Sequence, residues 1–250
     1  MVQRILAGKL DHAILPLFSI AQFASELEIF HDLPSQIGPA GNPGARPLNA
    51  AYYRNVTGIC DDPTLIQRYN EIADTIKTNS NMHGILINIQ LDPRGVICLA
   101  YPLVNSEDFQ NGIVLNSTGV IGLDLINNPV YRYIAERTIE SNNVVVQGPI
   151  TLRQCADMKC DPTVSMAFVA RISIASKVDV IEVNGIPYNK WGFAAVLINW
   201  NALIEQSNIY ESFAEKGYGF QLTRTDIEFN ANGTMQTEKV RSLKWQEEEL

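Results

Sequence analysis

Residues 85 to 102 constrain this chain more than any other stretch, because they read as an antiparallel hairpin. Ile85, Ile87, Ile89 and Leu91 alternate with Leu86, Asn88 and Gln90, so one strand face is aliphatic and the other is mixed. Asp92-Pro93-Arg94-Gly95 supplies turn residues at its first, second and last positions. Val96 to Pro102 then returns as the partner strand.

Helical periodicity surrounds this hairpin. From Val2 to Phe30, the residues Leu6, Leu10, Ala13, Leu17, Ile20, Ala24 and Leu27 recur at spacings of three and four, forming one apolar stripe. Pro16 falls within the stripe and is expected to kink or split the helix. Gly38, Pro39, Gly41, Pro43, Gly44 and Pro47 make residues 35–63 an irregular loop. Asp62-Pro63 starts a second helix over 64–77, and Asn128-Pro129 starts another that runs to about Ser141. Strands are expected at 144–154, 164–174, 191–200 and 217–225, with a further one possible at 241–245 and a helix at 201–214. The predicted fold class is α+β. It divides into a long helix (1–33), a Gly/Pro-rich loop (34–63) and a sheet-containing domain (64–250), with no internal repeat.

Composition narrows the function classes. The chain is 46% hydrophobic and 18% charged, as expected of a globular chain. Its 19 Lys plus Arg face 27 Asp plus Glu, with no basic run longer than a pair, which disfavours a nucleic-acid partner. Glu247-Glu248-Glu249 reads as a solvated tail. No segment reaches the ~20 apolar residues of a membrane span. Asp11 and His12 interrupt what would be a secretory signal, so the chain as given is expected to be soluble.

Catalytic motifs were sought and not found. No G-x-S-x-G elbow and no G-x-x-x-x-G-K phosphate loop occurs. His12, His31 and His83 share no metal-ligand spacing. Neither a catalytic role, a metal nor a cofactor is therefore expected. Cys60, Cys98, Cys155 and Cys160 allow three pairings. Cys155 and Cys160 bracket a short polar loop and are expected to bond in an exported protein, while Cys98, in an apolar strand, reads as a buried free thiol. Asn55, Asn116 and Asn232 begin Asn-x-Ser/Thr triplets, a modest lean towards export.

The order of certain short pieces resembles the CHASE domain, the extracellular sensor module of receptor cyclases, histidine kinases and cyclic-di-nucleotide enzymes. The pieces are Pro93-Arg94-Gly95-Val96, Tyr101-Pro102-Leu103, Gly122-Leu123-Asp124-Leu125, Gly148-Pro149 with Leu152, Ala170-Arg171 and Trp191-Gly192-Phe193. The resemblance covers roughly Tyr69 to Ile204. It implies a PAS-like module: a long helix beside a curved antiparallel sheet, with helices on one side, whose concave face holds a small ligand, adenine-like or a peptide. It implies a parent anchored in the plasma membrane, this domain lying on the extracellular or periplasmic face, and a homodimer formed through the N-terminal helix. Asp124 would be the ligand's hydrogen-bond acceptor or the buried partner of Arg171, two roles that overlap if the ligand inserts between them. Val146, Phe168 and Tyr101 would supply the pocket's remaining surface. The competing readings are a secreted or periplasmic α+β enzyme with a carboxylate pair, and a ligand-free dimeric spacer.

Overall fold

A computed structural model describes residues 2–26, 62–82, 84–105, 115–151, 166–176, 181–215, 220–229 and 235–245. The fold is α+β: a long N-terminal helix and further helices packed on a five-stranded antiparallel sheet.

Helix α1 (Val2–Glu26) continues across Pro16 as one element, so of the expected kink or split the split does not occur. Its stripe explains the continuity. Ala13, Leu17, Ile20 and Ala24 are fully buried, and α1 lies along strands β6 and β9 defined below, so packing on both sides of the proline holds the helix together. Helix α2 (Pro63–Asn79) starts where Asp62 and Pro63 predicted. The Asp62 carboxylate accepts from the backbone N–H groups of Thr64 at 2.8 Å and Leu65 at 3.2 Å.

Strands β1 (Leu86–Pro93) and β2 (Leu99–Tyr101) form the expected hairpin, and the predicted turn is closed by Gly95 N–H donating to Asp92 O at 3.0 Å. Arg94 and Gly95 both have positive φ, 52° and 82°, and Val96 N–H donates to Pro93 O at 2.9 Å. Asp92 and Pro93 therefore stay in the strand. Short strands β3 (Val104–Asn105) and β4 (Leu115–Asn116) pair with each other, and a 3-10 turn follows over Ser117–Val120. Asn128 caps a turn, its Oδ1 accepting from Val130 N–H, and helix α3 proper begins only at Arg132 and runs to Ser141. Strands β5 (Val145–Thr151) and β6 (Met166–Ala175) come next, then a small ribbon of β7 (Ile181–Val183) with β8 (Ile186–Tyr188). Strand β9 (Lys190–Asn199) leads into α4 (Trp200–Glu205) and α5 (Ile209–Ala214), where one helix was predicted. Strands β10 (Phe220–Phe229) and β11 (Met235–Trp245) pair as a separate long ribbon.

The main sheet has the order β2-β1-β9-β6-β5. Side chains alternate between its faces, and directly paired residues share a face. One face carries Ile89, Leu91, Leu99, Ala170, Ile174, Ala194, Val196 and Ile198, buried against α1 and α2. Phe193, on the other face, packs with Ile97, Val120, Leu125 and Ile126 and with Ala135 and Ile139 of α3. Both faces are thus covered, rather than one. Strands β1 and β9 meet closely at Gly192, where an added Cβ would stand 2.2 Å from Asp92 O, so only glycine fits there.

Cys98 is 5% exposed and disulfide-bonded, not the free thiol expected. Its bonding partner is one of Cys60, Cys155 and Cys160, all outside the described residues. The expected Cys155–Cys160 bond is compatible with this only if Cys98 pairs with Cys60.

Candidate functional site

The sheet face beneath α3 and the 117–131 segment is apolar along its central strand and carries polar residues on the two strands flanking it. Register places the residues in rows: Asn88, Leu197, Val169 and Gln147; then Gln90, Ala195, Arg171 and Val145; then Asp92, Phe193 and Ser173. The central strand β9 supplies an apolar floor of Phe193, Ala195 and Leu197. Strand β1 flanks it on one side with Asn88, Gln90 and Asp92, and β6 on the other with Val169, Arg171 and Ser173. Asn88, Gln90, Asp92 and Arg171 are 0–5% exposed.

Several polar atoms of this face are buried without a hydrogen-bond partner: Asn88 Oδ1, both carboxylate oxygens of Asp92, Arg171 Nε and Ser173 Oγ. Buried polar groups are ordinarily satisfied, so five such atoms on one face mark it off from the rest of the core. Two of these side chains do bond through other atoms. Asn88 Nδ2 donates to Ser117 Oγ at 2.9 Å, and Arg171 Nη1 donates to Gln147 Oε1 at 3.3 Å.

The electrostatics follow from burial. Removal from water pushes the Asp92 carboxyl up to about 7, and the positive charge of Arg171 only partly offsets this. Burial likewise pulls the Arg171 guanidinium below its ordinary value, opposed by Asp92 and then by Tyr131. The two opposite charges act on each other without a hydrogen bond between them.

The residues expected to form the site are distributed differently. Arg171 lies on the polar face. Asp124 belongs to the segment covering that face, bridged to Val96, and its carboxylate serves its own turn. Its Oδ1 accepts from Ile126 N–H and Asn127 N–H at 3.0 Å each, and its Oδ2 accepts from Asn127 Nδ2 at 2.5 Å. Arg171 takes Asp92, not Asp124, as its electrostatic partner. Tyr101, Val146 and Phe168 are in register with Ile89, Ala170 and Ile198, so they lie on the opposite, helix-covered face. There the Tyr101 hydroxyl donates to Asp74 Oδ1 at 2.7 Å, and burial, followed by this bond and the Asp74 charge, raises its pKa to about 12. Phe168 meets Trp200 edge to face at 5.1 Å, and Val146 is 37% exposed. A pocket made of all five is not what the sheet builds, because alternation puts three of them behind it. Cys155 and Cys160 lie outside the described residues.

Asn88, Asp92 and Ser173 were missed as site residues. The signal for the first two was present, since extending the 88–90 alternation by one step puts Asp92 on the mixed face. Reading Asp92 only as a turn opener concealed it.

Among the described residues no cluster of His, Cys, Asp or Glu could hold a metal ion, and no helix is long and apolar enough to cross a membrane. No family model matches the chain, and no curated protein matches its sequence.

Proposed function

We propose that this chain is a small-molecule-binding sensor domain, of the CHASE-like kind, on the extracellular or periplasmic side of a membrane-anchored receptor with cyclase, histidine kinase or cyclic-di-nucleotide output. The observation that carries the reading is the set of unpartnered polar atoms on a buried sheet face, on the two strands that flank the apolar residues of β9. Ligand sites combine an apolar lining with a few convergent polar groups in this way. In this reading Arg171 remains a ligand contact, Asp92 takes the acidic role expected of Asp124, and Asp124 holds the covering segment in place.

Two further features support the reading. A disulfide at Cys98 suits an oxidising compartment. Helix α1 buries its stripe against the sheet but leaves Leu15 and Phe18 about half exposed on its outer side, where a second copy would pair. Ligand binding beneath α3 would then shift the population of sheet conformations that α1 reports to its partner.

The test is to purify the oxidised chain under native conditions, denature it and identify released small molecules by mass spectrometry. The proposal expects a stoichiometric molecule from the wild type and none from Ala195→Leu, which raises the middle of the floor. A wild type that releases nothing, and whose melting temperature no metabolite in a broad screen raises, would overturn it.

A further inference from the structure

Resting on the site proposed above, we infer that its ligand is a short zwitterion, carrying an ammonium-type donor at one end and a carboxylate-type acceptor at the other. The unpartnered atoms are sorted by strand. On β1, Asn88 Oδ1 and both Asp92 oxygens are acceptors; on β6, Arg171 Nε is a donor and Ser173 Oγ can donate. Between them β9 offers only Phe193, Ala195 and Leu197, which bond to nothing polar. A ligand that satisfies both edges must therefore present donors towards β1 and acceptors towards β6.

Charge points the same way. Asp92 is 0% and Arg171 5% exposed, and a buried charge requires a partner. A neutral ligand would leave both charges in the interior with hydrogen bonds alone. A zwitterion pairs each with its opposite, an ammonium on the carboxylate and a carboxylate on the guanidinium, and brings no net charge into the core. Size is bounded by the sheet. Strands β1 and β6 are two strand spacings apart, about 10 Å between backbones, and side chains reach inward from both sides. The proposed ligand is therefore short.

The experiment is a thermal-shift and calorimetric titration of the full oxidised chain with L-alanine, β-alanine and γ-aminobutyrate. Propionate and propylamine serve as single-charge controls, and adenine as a neutral base. The expected result is binding by at least one zwitterion, with each single-charge control at least about tenfold weaker. Asp92→Asn and Arg171→Gln should each reduce that preference, and Ala195→Leu should abolish binding while the chain still melts cooperatively. Binding of adenine or of one single-charge control alone, abolished by Ala195→Leu, would overturn the zwitterion and leave the site standing. Zwitterion binding that survives all three variants unchanged would overturn the site as well. Failure of every zwitterion to bind overturns the ligand class, and the site is then decided by whether the wild type releases a native molecule.

Discussion

Asp92 and Arg171 lie on one face of the sheet, two strands apart and two residues out of register across β9, and both are buried without a hydrogen bond joining them. A fold optimised only for stability would join these groups or replace them with apolar ones, because a buried ionic pair seldom repays its desolvation.

The first prediction concerns pH. Burial raises the Asp92 carboxyl in the folded chain to about 7, while the unfolded chain retains the ordinary value near 3.8. The folded state therefore holds its proton more tightly. The resulting stability is fully present below the unfolded value and is lost as pH rises through about 7. Without ligand, wild-type stability should fall across this window by up to about 4 kcal/mol relative to Asp92→Asn. Urea unfolding of both proteins at several pH values measures the difference. Parallel curves would show that Asp92 is not buried as described.

Asp124 should matter to the fold through its turn. Asp124→Ala removes the acceptor for Ile126 N–H, Asn127 N–H and Asn127 Nδ2, and leaves buried donors unsatisfied. A loss of ~2–4 kcal/mol is expected, with a smaller loss for Asp124→Asn. Chemical denaturation reads this directly, and a change within ~0.5 kcal/mol would remove the turn's structural role.

The two sides of α1 should behave oppositely. Leu17 is fully buried against the sheet, so Leu17→Asp should destabilise the chain by more than ~3 kcal/mol. Leu15→Asp and Phe18→Asp, on the exposed side, should leave the melting temperature nearly unchanged and shift a self-associating population towards monomer in sedimentation. A chain that is monomeric throughout would remove α1 as a pairing surface.

Disulfide mapping of unreduced protein should find Cys98 bonded. A peptide containing Cys98 as a free thiol would contradict the structure. A Cys98–Cys60 bond leaves Cys155–Cys160 intact, whereas a bond to Cys155 or Cys160 eliminates it.

Much of the architecture was legible in the sequence because it rests on local rules. Asp62-Pro63 marks a helix start that the carboxylate then caps, and the stripe from Ala13 to Ala24 states which side of α1 is buried. The five strands of the main sheet follow from period and turn residues, whereas the short pairs β3–β4 and β7–β8 carried no such signal. The parts that were not legible depend on partners distant in sequence. Pro16 is tolerated because β6 and β9 hold α1 on either side of it, which no local rule contains. Cys98 resembled a free thiol because its bond is non-local. The five expected site residues are divided between two faces for the same reason. Phe168 is close to Arg171 in sequence and Val146 across a strand pair, while Tyr101 lies on β2, three strands away, and register puts all three behind the sheet. Asp124 appeared to be an unsatisfied charge until its own turn supplied three donors.

The most direct measurement is a crystal structure of the natively purified, oxidised chain. The account predicts electron density for a small molecule over Ala195, with polar atoms within hydrogen-bond distance of the Asp92 carboxylate on one side and of Arg171 Nε on the other. Asp92 and Arg171 bonded directly to each other, with Phe193 and Leu197 closed over Ala195 and no bound molecule, would contradict it.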